Sequence, residues 1–386
     1  MINRTLAALS ILISLSACQT IPAATSNDGK PLLVAPTFFS GQIWPIENPE
    51  QIYALPEQTK AELLSLQNNK LDMSSRSKAM IRHIFSYARH DLLYDSSATR
   101  TVSETLTAGK ANCLSLSILA YSMAKELGLD AVFQDVDIPE YWTSELNTTW
   151  LNGHVNVRLR QSSTPHKQSG TILLGHDVVI DFDPQILRQH FKTKVITKDR
   201  ATAMFYNNKA AEQQNLQHYA QAYQYYQAAI AADPEFAVTW ANLAVLYRQH
   251  GLLELAEQLY RHSLVLAPDS LNAMANLAIL YQLTGRENLA APLLQQVSKV
   301  RLANPYYYVM LGNEALRRQD TTEAINQFQQ ALKLDRKNHE AYFSLAKSYY
   351  LAGNTVQAQR YLQQAIRTSV AQDKARYQRK LTALLQ

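Results

Sequence analysis

The apolar positions of this chain change period twice, and the changes divide it. Behind Asn3-Arg4, residues Leu6 to Leu15 form a continuous apolar run, too short to span a bilayer as a mature helix. Gln19 to about Pro31 is rich in Ser, Thr, Ala, Pro and Gly without apolar period and reads as a flexible tether. Helical spacing then begins. Pro56-Glu57 opens a short helix with Leu63, Leu64 and Leu66, and from near Ser75 the residues Ile81, Ile84, Phe85 and Ala88 share one face. Cys113 starts a further apolar helix that runs to Leu127, where Gly128 supplies a left-handed stop.

Beyond that helix the period becomes two. Ala131 to Val136 predicts a strand, Pro139 to Trp150 a loop, and His154 to Arg160 a second strand. In this strand Val155, Val157 and Leu159 point to one face and His154, Asn156 and Arg158 to the other. Thr171 to Leu174 and Val178 to Phe182 predict two more strands joined by Gly175-His176-Asp177, with Val179, Asp181 and Asp183 on a common face. Helical spacing returns from Ala203 and repeats every 34 residues. The second unit is the fullest, with Trp240, Leu243, Ala244, Tyr247, Gly251, Ala256, Tyr260 and Pro268. In all, five units run in one register, and about Ala371 to Gln386 reads as a capping helix.

That period and pattern resemble the tetratricopeptide repeat, a helix-turn-helix unit. Small residues at the eighth and twentieth positions let helices approach, and the large aromatics fill the space between them, so these residues are core. The resemblance implies a concave groove that binds a peptide or protein partner. It places Asn208, Asn242 and Asn276, the sixth residues of consecutive units, toward that groove, where they either bond a partner's backbone or simply follow the repeat consensus.

Composition adds limits. A chain of 386 residues exceeds one compact core. Its 47% hydrophobic content and net charge of +5 are those of globular material. No basic run carries interleaved aromatics, which argues against nucleic acid as a partner.

The amino terminus is more specific. Leu15-Ser16-Ala17-Cys18 closes the apolar run and resembles the lipobox of bacterial lipoproteins. The resemblance implies cleavage before Cys18, lipidation of that cysteine and a membrane anchor of several acyl chains. Gln19, where an Asp would retain the protein at the inner membrane, favours an outer-membrane location, facing the periplasm. The chain has two cysteines; with Cys18 lipidated, Cys113 is a free thiol in an exported protein.

Cys113 follows Lys110-Ala111-Asn112 at the start of its helix. Unpaired amides and the positive end of the helix dipole favour a thiolate there and can hold an oxyanion; the alternative is a buried cysteine that packs as a small hydrophobe. The order of a cysteine at a helix start, a histidine at a strand start and an aspartate on a later strand resembles the transglutaminase-like superfamily. It rests on Ala-Asn-Cys-Leu-Ser-Leu-Ser, Gly153-His154-Val155-Asn156-Val157 and Val179-Ile180-Asp181-Phe182-Asp183-Pro184. The resemblance implies papain-type chemistry with Cys113 as nucleophile, His154 as base and acid, and either Asp181 or Asp183 orienting the imidazole.

Trp142 and Trp150 either wall a cleft or anchor their loop, and His166 and His176 read as solvated. No residue set has convincing zinc spacing and none resembles a calcium loop, so no metal or cofactor is expected. The expected architecture is a signal peptide at 1–17, a tether and helix at 18–70, an α+β transglutaminase-like domain at 71–198, and an all-α tetratricopeptide-repeat solenoid at 199–386. The function expected is amide hydrolysis or acyl transfer on a peptide or protein recruited by the repeats. The alternative is a non-catalytic scaffold that binds envelope proteins.

Overall fold

A computed structural model describes residues 32–39, 42–67, 73–90, 93–95, 98–145, 148–160, 167–168, 171–172, 177–182, 191–369 and 371–385. Cys18, Asp183, His166 and His176 lie outside the described residues. After a 3-10 turn at Pro36–Phe39 come α1 (Pro49–Tyr53), α2 (Glu57–Gln67), α3 (Met73–His90), β1 (Leu93–Tyr94), α4 (Val102–Ala108), β2 (Lys110–Ala111) and α5 (Cys113–Glu126). Then follow β3 (Asp130–Glu145), β4 (Thr148–Arg160), β5 (Lys167–Gln168), β6 (Thr171–Ile172), β7 (Val178–Ile180) and β8 (Thr193–Ile196).

The main sheet has the order β7-β4-β3-β8 and is antiparallel throughout. Two expectations are corrected here. Most of the predicted loop at Pro139 to Trp150 is a hairpin, paired from Tyr141↔Asn152 to Glu145↔Thr148. The alternation breaks at Asp137 to Glu140, which bulge out, so the period hides the strand that resumes at Tyr141. The strands predicted around Gly175 are not partners of each other: β6 pairs with β5, and β7 pairs with β4 through Val157↔Ile180 and Leu159↔Val178. Strand β7 ends at Ile180, so Val179 is 44% exposed while Asp181 is buried, and the shared face predicted for them does not form.

The remaining helices are α6 (Lys198–Asn215), α7 (Tyr219–Ala232), α8 (Ala237–Gln249), α9 (Leu253–Leu266), α10 (Leu271–Leu283), α11 (Glu287–Arg301), α12 (Pro305–Arg317), α13 (Thr321–Leu334), α14 (His339–Leu351), α15 (Thr355–Thr368) and α16 (Ala371–Leu385). The second helices of the five pairs start at Tyr219, Leu253, Glu287, Thr321 and Thr355, each 34 residues after the last. The first helix of the array begins at Lys198, ahead of the pattern's Ala203, because Thr197 caps it by accepting from the Arg200 amide at 3.0 Å.

The turn within each pair contains one left-handed residue. Glycine fills it at Gly251, Gly285 and Gly353, whereas Gln217 and Gln319 adopt φ of 64° and 63° in the first and fourth pairs, at a cost of about 1 kcal/mol each. Ala222, Ala256, Ala290, Ala324 and Ala358, the twentieth residues, are all buried. At Gly312 an added Cβ would lie 2.5 Å from Phe328 Cε1, so the missing methyl is what lets that ring enter between α12 and α13.

One hydrophobic core runs from Leu32 through α5 and the sheet into the third repeat at Ala290. Leu114, Ile118, Val155, Val157, Phe205 and Trp240 belong to it, while the fourth and fifth repeats and α16 hold separate clusters. The segment before α1 is clamped along the repeats: Tyr223 Oη donates to Val34 O at 2.6 Å, and the Val34 amide donates to Tyr247 Oη at 3.0 Å. The sheet unit and the first three repeats are thus a single packed body, and the distal repeats reach the sheet through different contacts. Among the described residues no helix is long and apolar enough to cross a membrane.

Candidate active site

Helix α5 starts where it does because Asn112 caps it. Its Oδ1 accepts from the Ser115 amide and from Ser115 Oγ, both at 2.9 Å. The cap is itself fixed, with Asn112 Nδ2 donating to Thr99 Oγ1 at 2.7 Å and its amide to Ala98 O at 3.1 Å. Ser117 Oγ donates to Val155 O at 2.9 Å and ties the helix to β4. Cys113 and Leu114, the first two helical residues, carry amides without an intrahelical acceptor.

Strand β4 brings the imidazole to this helix end. His154 is 4% exposed and Cys113 9%. His154 Nε2 lies 2.9 Å from both oxygens of Asp181, and Asn156 Nδ2 donates to Asp181 Oδ2 at 2.9 Å. The carboxylate therefore takes up Nε2 and leaves Nδ1 as the ring nitrogen available to Cys113, whose thiol is near enough to favour the charged ring. The thiol also approaches Gly153 O at 3.9 Å.

Burial opposes charging of His154. Hydrogen bonds to Asp181 and then to Cys113, together with the charges of both, outweigh it and raise the imidazole from 6.5 to about 10. Nearby on β3, burial raises the Asp135 carboxyl above its usual range against the opposing charges of Arg200, Lys194 and His154. A buried imidazolium held by a carboxylate is the counter-charge a thiolate needs, and the free amides of α5 are donors an oxyanion needs.

Of the residues singled out in the sequence, Cys113, His154 and Asp181 are brought together. Asn112, Gly153 and Asn156 join them. The signal that would have found Asn112 is an asparagine directly ahead of an apolar helix, a common cap; Asn156 shares the two-residue period of His154; nothing in the sequence marks the Gly153 carbonyl. Trp142 is an anchor, 8% exposed against Tyr307 of α12, with ring centroids 5.8 Å apart. Trp150 is half-buried. Asn208, Asn242 and Asn276 are half-buried, and two of them spend their amides within the repeats: Asn242 Nδ2 donates to Asn207 Oδ1 at 3.0 Å and Asn276 Nδ2 to Asn272 O at 3.0 Å.

Family models of the tetratricopeptide repeat match residues 204–236 and 225–258, and a TPR repeat model matches residues 295–353. No curated protein matches the chain. Among solved structures, MamA is 21% identical over 46% of this chain and 95% of its own, with a TM-score of 0.25. YrrB, described as a TPR protein with an unusual peptide-binding site, is 19% identical over 46% of this chain and 92% of its own, with a TM-score of 0.25. PilF of Pseudomonas aeruginosa is 19% identical over 45% and 80%, with a TM-score of 0.28. By the family matches and by five helix pairs at an interval of 34 residues, the C-terminal part of the chain is an array of tetratricopeptide repeats.

Proposed function

We propose that this chain joins a protein-binding repeat solenoid to a transglutaminase-like thiol site that cleaves or transfers an acyl group at an amide of a peptide or protein. The observation that supports it is the buried His154–Asp181 pair at 2.9 Å with Cys113 at the helix start beside it, its charge favouring the imidazolium. In this reading Cys113 Sγ bonds to the carbonyl carbon while the amides at the start of α5 hold the oxyanion. The C–N bond then breaks as His154 gives its proton to the leaving amine. Water or an amine attacks the resulting thioester, His154 taking the proton, and the thiolate is restored. Asp181 keeps the imidazole oriented throughout, with Asp183 the alternative carboxylate from the sequence.

A second reading, a non-catalytic scaffold, has its own support. Every family match falls within the repeats, and protein binding is what such repeats suggest; these matches favour the scaffold over the enzyme. Cys113 is also only 9% exposed. Alkylation by iodoacetamide separates the two. On the chain lacking residues 1–18, an activated thiol reacts at pH 6 and slows by about tenfold or more in His154→Ala, because an ordinary thiol is only about 0.3% ionised there and its higher nucleophilicity recovers part of the loss. A thiol indifferent to His154 leaves the scaffold reading standing.

Both readings share a membrane anchor: Cys18 carries lipid, and the protein sits at the outer membrane facing the periplasm, an inference supported by Leu15-Ser16-Ala17-Cys18. Metabolic labelling with a palmitate analogue is expected to mark the wild type and not Cys18→Ser; equal labelling of both refutes the anchor.

A further inference from the structure

The β3–β4 register holds an asymmetry beside the thiol. Val136 pairs with His154 and Tyr141 with Asn152, so the four residues Asp137 to Glu140 stand opposite Gly153 alone. A β-bulge ordinarily adds one residue; this one is longer, and the glycine it faces is the one whose carbonyl lies 3.9 Å from Cys113 Sγ. A bulge of this length needs outside support to hold one shape.

Its first end is held near the sheet, where the Asp137 amide donates to Lys192 O at 2.9 Å. Its second end is held by the end of the third repeat, where α11 closes and the chain turns into α12. Arg301 Nε and Nη2 donate to the two oxygens of Glu140 at 2.7 and 2.8 Å, and Asn304 Nδ2 donates to the Glu140 carbonyl at 2.6 Å. The Arg301 guanidinium also lies 5.4 Å from the Trp142 ring and 6.0 Å from the Tyr307 ring. The Glu140 and Arg301 side chains are 16% and 13% exposed. A planar fork that lies against two rings and grips a carboxylate fixes direction as well as distance, and Asn304 fixes the backbone of the same residue.

We propose that Arg301 and Asn304 are positioning residues for the thiol site: by gripping Glu140 they set the bulge opposite Gly153, and through it the surroundings of Cys113 and His154. This rests on the reading of Cys113 as an activated nucleophile. The solenoid then acts on the site directly, and a partner that draws Arg301 away from Glu140 lowers thiol reactivity.

The test compares wild type, Glu140→Gln, Arg301→Lys and the double variant, each on the full chain from residue 19. Two quantities are read: the pH profile of Cys113 alkylation, and hydrogen exchange at the Gly153 and His154 amides. Glu140→Gln keeps size and fold while removing the charge. The expected results are alkylation at pH 6 slowed by about threefold or more in each single variant, exchange at Gly153 and His154 quickened by about tenfold or more, and a double variant no worse than the singles. Wild-type exchange in well-folded variants overturns the proposal. If the wild-type thiol itself proves ordinary, the nucleophile reading fails, and the exchange data still decide whether the grip positions the bulge.

Discussion

Replacing Asp181 by asparagine is expected to destabilise the folded chain by about 3–5 kcal/mol near neutral pH, the range for breaking a buried charge pair. Asp181 is 5% exposed and is met by two donors, His154 Nε2 and Asn156 Nδ2, each at 2.9 Å. An amide offers one acceptor, so its own NH₂ group faces one of those donors and a buried polar group goes unsatisfied. The variant also removes the charge that keeps His154 protonated.

That loss has a pH signature with a definite sign. Burial works against the charged ring, but Asp181 and Cys113 raise His154 to about 10, above the 6.5 of the unfolded chain. Its contribution is therefore complete below pH 6.5 and disappears as pH rises to about 10. Wild-type stability is expected to decline across this window by on the order of 5 kcal/mol from this residue, and the decline is expected to shrink in Asp181→Asn, where Cys113 alone still favours the charged ring. Urea unfolding at several pH values measures both. Parallel pH curves for the two proteins would contradict the assignment of Asp181 as the partner that charges the imidazole.

Removing the guanidinium at Arg301 is the second large effect. Arg301→Ala leaves the Glu140 carboxylate, 16% exposed, without its fork, and a loss approaching the range of about 3–5 kcal/mol for a broken buried pair is expected. Arg160→Ala is the matched control. It also forms a two-bond pair, with Asp130 at 2.9 and 3.0 Å, but both side chains are 50% exposed, so less than about 1 kcal/mol is expected. Equal effects in urea unfolding would show that burial of the Glu140 grip carries no energetic weight. The distal repeats lack the continuous core that fuses the first three to the sheet. In Arg301→Ala they are expected to lose protection from proteolysis first.

The repeats were legible because their signal is redundant. Each unit restates the small residues and aromatics of the last, and one noisy position does not shift the register. The sheet unit has no such repetition. Its alternation failed at Asp137 to Glu140, where a bulge cancels the period for four residues, and at β7, which is too short to establish one. The candidate site was legible in its parts: a cysteine opening an apolar helix, a histidine opening a strand, an aspartate on a later strand. What no local pattern contains is the contact between Glu140 and Arg301, residues 161 positions apart, which joins the bulge beside the thiol to the third repeat. Such a contact leaves no periodic trace, only a charged residue in each of two unrelated segments.

The central claim, that Cys113 is an activated nucleophile, is tested most directly by titrating its ionisation. On the chain lacking residues 1–18 it is the sole cysteine, so the ultraviolet absorbance of wild type minus Cys113→Ala reports one thiolate. The account predicts a thiolate absorbance in the wild type that His154→Ala loses at the same pH. Absorbance that rises only near the ordinary thiol value of about 8.5, alike in both proteins, would contradict it and leave a buried cysteine in a protein-binding scaffold.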